Sequence, residues 1–199
     1  NPEMNKINFT IQEVPAKKIL LALILLFLIM LTRASHELTS LNLPDASLAI
    51  FIAAGILLKQ RKFLLLFVAL IVSIDAYIIN INNMTHINFE TSYLGHIFTY
   101  ILTWELGRKF LSGDKSLKAK LFFPVAFFTI IASYTISFAS HYFLSGWISS
   151  PNFYGGLSFL ANNFNSFFVP NAVYFGVLYA LFKIIHKIPK FLEPRISSN

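Results

Sequence analysis

The sequence predicts an all-α integral membrane protein with six transmembrane helices and both termini in the cytoplasm. Three observations point there. The 199 residues are 56% hydrophobic and 13% charged, with a mean hydropathy of +0.64. The apolar residues come in long blocks instead of at amphipathic spacing, the pattern of helices solvated by lipid. The basic residues gather in short segments between alternate blocks, which is the positive-inside signature. One transmembrane domain over residues 1–199 is the natural count for this length.

The spans are expected at about 15–32, 44–58, 63–81, 93–111, 121–144 and 167–185. The first opens with Pro15, Lys17 and Lys18, whose long stems can snorkel. The second follows Leu43-Pro44-Asp45-Ala46-Ser47. Pro44 suits a first helical position, and Asp45 suits a first turn because the helix dipole favours a carboxylate there. Its small residues, Ala46, Ala49, Ala53, Ala54 and Gly55, let neighbouring helices come close. The third is a plain apolar run apart from Asp75. Pro124 and Pro170 fall near the starts of the fifth and sixth, where proline is tolerated. Several runs are shorter than the ~20 residues of an ideal span, so helix ends must use interfacial residues or local thinning.

With the N-terminus inside, the cytoplasmic segments hold every Lys and Arg of the chain's 16 except Arg33. A net charge of +7 can signal nucleic acid, but charge distributed in this way is explained by topology, and no nucleic-acid partner is expected. The first apolar run has no evident small-residue cleavage site, so no cleavable signal peptide is expected. With no cysteine there is no disulfide, thiolate ligand or thiol nucleophile.

The outer segments are of different material. Ser145 to Ser166 has no charge, yet holds Trp147, Phe153, Tyr154, Gly155-Gly156, Asn162 and Asn163. It reads as a long connection, either a lid over a large, partly apolar ligand or an aromatic interfacial belt. Gly155-Gly156 reads as a turn. Four histidines, His36, His86, His96 and His141, also fall on the outer side, with Asp45 and Asp75. Ionisable groups at membrane depth mark function unless they are paired. Asp75 is expected to pair with Arg33, the one outer cation, because a buried acid needs a partner. Glu105 is expected to pair locally with Arg108 and Lys109.

Tyr93, His96, Tyr100, Thr103 and Gly107 form a stripe at three- and four-residue spacing. Ser133, Ser137, Ser140 and His141 form another, and Asn171 and Tyr174 begin a third. The stripes either converge on an outer cavity or make ordinary interhelical hydrogen bonds. No metalloprotease, phosphate-loop or serine-hydrolase motif is present, so the chain is not expected to be an enzyme.

The segments Leu43-Pro44-Asp45-Ala46-Ser47, Ile74-Asp75-Ala76-Tyr77 and Thr91-Ser92-Tyr93 through Tyr100 to Gly107 resemble the BtuM family. Those are solitary cobalamin transporters related to the substrate-binding (S) components of energy-coupling factor vitamin transporters. The resemblance implies an S-component-like bundle in a bacterial cytoplasmic membrane, taking up cobalamin or a related corrinoid, with no cofactor of its own. For such a ligand the stripes and the outer segments make the expected binding region Tyr93, His96, Tyr100, His141, Trp147, Phe153, Tyr154, Asn162, Asn163 and Asn171, with Met84 and His86 added by the resemblance and Arg33, Asp45 and Asp75 as structural charges. Such proteins can carry a cysteine after the third helix, suited to cobalt. Here His86 is the nearest substitute as an axial ligand. Ala16 and Ala22 are too far apart for the Ala-x-x-x-Ala docking pattern, so an energising ATPase module is not clearly implied. Another vitamin or small solute, and a membrane enzyme or haem protein using the outer histidines, are the alternatives.

Overall fold

The computed structural model describes residues 15–33, 43–81, 89–146 and 148–192, and side chains for all of these but 89–90 and 187–192. Met84, His86 and Trp147 lie outside the described residues. The described chain is helical, with no strand: α1 (Ala16–Arg33), α2 (Ser47–Leu57), α3 (Arg61–Ile81), α4 (Phe89–Phe110), a 3-10 turn (Gly113–Leu117), α5 (Ala119–Leu144) and α6 (Phe153–Leu192).

Helix α2 is the centre of the bundle. From Ser47 to Ile56 every residue is buried. Its 11 residues rise only about 16 Å, about half a bilayer's hydrocarbon core. Two glycines let it sit so deep. A Cβ on Gly107 of α4 would lie 2.5 Å from the Ile52 carbonyl oxygen, and one on Gly55 would collide with the Trp104 carbonyl. The two backbones therefore touch, as small residues at a helix crossing permit. Helix α4 packs on α2 and α5, α5 on α6, and α1 rests against α2 and α3. Phe51, Phe67 and Trp104, all fully buried, meet edge to face between α2, α3 and α4.

Three helices are long and apolar enough to cross a membrane: α3, α5 and the Phe153–His186 part of α6. This is fewer than the six spans expected. Helix α2 is too short, α1 is an apolar run of only 18 residues with Lys17, Lys18 and Arg33 at its ends, and α4 is rich in polar residues. The outward faces of the long helices are bare hydrocarbon, with Leu65, Leu66, Phe127, Phe128, Val173, Val177 and Ile184 exposed. Such a surface needs an apolar solvent.

The largest departure is at 153–166, expected as a connection and found as helix. Asn152 starts it: its side-chain Oδ1 accepts the Gly155 N–H at 2.8 Å, a capping bond. Gly155 and Gly156 are not a turn. They lie in the first turn of α6, where a Cβ on Gly155 would strike the Tyr142 hydroxyl and one on Gly156 would crowd the Phe143 ring. The glycines thus seat α6 against the end of α5. Beyond them Phe159 meets Phe138 and Tyr142, Phe164 and Phe167 meet Tyr134, and the Tyr134 hydroxyl donates to the Leu160 carbonyl. Pro170 consequently lies well inside α6 and not near its start.

The two ends of the bundle differ. At one, Glu105 accepts from Arg108 at 2.5 Å and from Arg61 at 3.3 Å, near Lys59, Lys62 and the 3-10 turn. The other end holds Arg33.

Candidate functional site

Arg33 is the last residue of α1 and only 12% exposed, so its five donors need acceptors. Asp75 of α3 takes two in a fork: Nε to Oδ1 at 2.6 Å and Nη2 to Oδ2 at 2.5 Å. Nη1 reaches Asp45 at 2.7 Å, the Tyr100 hydroxyl at 2.7 Å and, more loosely, Ser47 at 3.4 Å. The Tyr93 hydroxyl donates to Asp75 at 2.5 Å. One guanidinium therefore ties α1, α3, α4 and the approach to α2. Bidentate pairing with a carboxylate is the geometry arginine favours over lysine.

Asp45 is held from its other side. Its Oδ1 accepts the Ser47 N–H at 2.9 Å and the Ser47 hydroxyl at 2.5 Å, a turn that precedes α2. Pro44 and Asp45 thus stand before the helix and not in its first turn. The Tyr174 hydroxyl of α6 donates to the Pro44 carbonyl at 2.7 Å.

Two cavities flank this centre. The first, about 210 Å3, is bounded by α2, α4, α5 and α6, and Asp45, Tyr100, Ser133, Ser137 and Asn171 face it. The second, about 220 Å3, is bounded by Asp75, Tyr93 and His141. Arg33 and His96 line both and so form the partition, with His96 stacked on Tyr93 at 5.5 Å between centroids.

Of the residues expected at a site, Tyr93, His96, Tyr100, His141 and Asn171 come together around these cavities. Phe153, Tyr154, Asn162 and Asn163 do not line them. On the helical stretch, Phe153 and Tyr154 are among the most exposed side chains, at 72% and 83%. Asn163 is turned back to the carbonyl of Phe159 on its own helix, and Asn162 points to Ser158. A roof of neutral amides over residues 153–166 is therefore absent among the described residues.

The stripes divide. Thr103 and Ser133 are buried with hydroxyls 3.5 Å apart, and Ser140 donates to the Ser92 carbonyl at 2.7 Å, both helix-to-helix contacts. Ser137 lines the first cavity, 3.5 Å from the Thr99 hydroxyl. Leu48, Thr99, Ser166, Phe167 and Pro170 also line it and were not expected at a site. Thr99 lies one residue off the Tyr93–Gly107 stripe, Ser166 ended the misread connection, and Phe167 opened the expected sixth span as one apolar residue among many. Among the described residues no group of three His, Cys, Asp or Glu side chains is placed to hold a metal ion. Compared with protein-family models the sequence finds no match, and compared with curated proteins it finds none.

Proposed function

We propose that the chain is a multi-pass transport protein of a bacterial cytoplasmic membrane that binds a vitamin at the Arg33 end and takes it up. The Arg33 centre is the observation that supports this most. A guanidinium and two carboxylates sit at the end of a bundle whose long helices present bare Leu, Val, Ile and Phe outward. Ionisable groups in such surroundings are costly and are kept where a solute site or path needs them. The adjoining cavity combines hydroxyls, an amide, an imidazole and aromatic rings, the few-polar-groups-on-apolar-walls composition of small-molecule sites. With the basic end cytoplasmic, as the positive-inside rule requires, six membrane-embedded helices leave both termini inside and the cavities facing outward.

The sequence resemblance makes cobalamin or a related corrinoid the first ligand to test, with His86 as the axial donor to cobalt and His96 and His141, beside the second cavity, as fallbacks. No ATP-binding motif occurs in these residues, so active uptake would draw on partner subunits or another mechanism. A second reading, an S component for a smaller vitamin or solute, is favoured by one observation. The first cavity, about 210 Å3, is below the ~300–1,000 Å3 of ordinary ligand pockets.

The test is the absorption spectrum of the purified protein, followed by calorimetric titration with cobalamin. A corrin spectrum or a saturable heat is expected, altered in His86→Ala. No binding by the wild type discards the corrinoid, and a haem-type Soret band redirects the assignment to a haem protein.

A further inference from the structure

We propose that the mouth between α5 and α6 at the basic end binds an anionic phospholipid, with its phosphate between Lys120 and Lys183 and an acyl chain lying over Phe123, Phe127 and Gly176. This rests on membrane embedding and is independent of what the chain carries across.

The basic residues of this end are not evenly matched by acids. At the edge of α2 and α3, Glu105 is shared by Arg61 and Arg108. The edge made by the 3-10 turn, the start of α5 and the α6 segment around Lys183 is different. Lys115, Lys118, Lys120 and Lys183 are all exposed there, against one exposed carboxylate, Asp114. Among the described residues none of the four lysines is in an ion pair. The positive-inside rule accounts for the side of the membrane, not for an unneutralised cluster on one edge.

Packing draws these lysines together. The Tyr179 hydroxyl of α6 donates to the Leu117 carbonyl at 3.1 Å, so the turn is tied to α6 one residue before Lys118. The Tyr179 ring meets Phe123 of α5 at 5.0 Å between centroids. Lys120 precedes Phe123 by three residues on α5, and Lys183 follows Tyr179 by four on α6. Helix α5 starts at this end and α6 runs towards it, so both lysines stand one turn beyond the same ring pair, on the faces those rings mark. The Lys183 Nζ is 5.5 Å from the centroid of the Tyr179 ring, a cation–π contact that keeps it at the mouth. Two ammonium groups on either side of a cleft match a phosphate, and basic clefts between membrane helices take anionic headgroups.

Below the lysines the same two faces turn apolar. Lys120, Phe123 and Phe127 share one face of α5, and the two rings are 46% and 57% exposed. Phe127 meets Phe168 of α6 at 6.1 Å. Gly176 falls between Phe168 and Tyr179 on the same face of α6. Its missing side chain leaves open space, because a Cβ there would meet nothing within 4 Å. Cations with a bare hydrocarbon strip directly beneath them fit an amphiphile of opposite charge. An acidic protein segment would match the lysines and leave the strip uncovered, and a free phosphate would use neither ring.

The experiment uses the full chain in nanodiscs of phosphatidylcholine. Spin-labelled phosphatidylglycerol or spin-labelled phosphatidylcholine is added, and the motionally restricted fraction of each label is read. Phosphatidylglycerol is expected to associate about fivefold more strongly than phosphatidylcholine. Lys120→Gln with Lys183→Gln should remove the preference. Lys59→Gln with Lys62→Gln takes the same charge from the other edge and should leave it unchanged. Equal association of the two lipids with the wild type overturns the proposal. Equal loss in the two double variants overturns it too, because it reports a diffuse surface potential. Glycerol phosphate and hexaglutamate are then offered to the wild type as competitors, and neither is expected to displace the label. Displacement by glycerol phosphate assigns the lysines to a soluble phosphate, displacement by hexaglutamate assigns them to an acidic protein segment, and either result overturns the lipid assignment.

Discussion

Replacing Asp75 by alanine removes the two-pronged partner of a guanidinium that is 12% exposed. Breaking a buried ion pair by removing one member costs ~3–5 kcal/mol, because the remaining charge is left without compensation. Arg33 keeps Asp45 and the Tyr100 hydroxyl, so the lower end, about 3 kcal/mol, is expected. For a chain of this length ~1 kcal/mol moves a melting midpoint by roughly 2–4 °C, so Asp75→Ala should melt about 6–12 °C early. The assay is thermal unfolding of purified protein followed by size-exclusion recovery. A double variant sharpens it. Arg33→Met with Asp75→Leu replaces the pair by apolar side chains of similar bulk, and such replacements of buried pairs are often neutral. The double variant should therefore recover most of the loss. A wild-type midpoint for Asp75→Ala, or a double variant whose loss equals the sum of the singles, would refute the argument that the pair is buried and coupled.

Three further outcomes are expected. Gly107→Ala should abolish folded protein, because its Cβ meets the Ile52 carbonyl, whereas Gly176→Ala has open space within 4 Å and should be neutral or stabilising by up to ~1 kcal/mol; equal expression and melting of the two would show that α2 and α4 are not in backbone contact. Arg61→Ala should change the midpoint little, since Arg61 is 74% exposed and surface pairs contribute ~0–1 kcal/mol, and a shift as large as that of Asp75→Ala would contradict this. Single cysteines in this cysteine-free chain report sidedness: exposed Ser149 should label with an impermeant reagent in intact cells and exposed Lys115 should not, with the reverse pattern inverting the topology.

The charge pattern made the two ends of the bundle legible. Arg33 stood alone among outer cations, so its pairing with Asp75 followed by elimination, and the structure places them together. The place of Tyr100 was not legible that way. A tyrosine on a polar stripe looks the same whether it meets a ligand or an arginine 67 residues away, and only the packing of α4 against α2 and α1 decides it. The helical run 153–166 was obscured by its own composition. Its asparagines and paired glycines are loop residues by propensity, and the spacing Leu160, Phe164, Phe167, Asn171, Tyr174, which is helical, was outweighed. Local preference lost to packing against the aromatic face of α5, which no single segment of sequence contains. Helix α2 shows the converse: hydropathy reports that a segment is apolar, not whether lipid or protein surrounds it.

Arg33 leaves the ribosome before either of its carboxylates, with Asp45 following 12 residues later and Asp75 42 residues later. In a bilayer with the basic end inside, α1 must deliver this cation to the far side against the usual bias. When only α1 and α2 exist, the fork that holds the guanidinium has not been made. The third helix brings it, and with it the commitment of the first. A chain cut before Asp75 would hold Arg33 through Asp45 and Ser47 at Nη1 alone, so the two-pronged half of the anchor arrives only with α3.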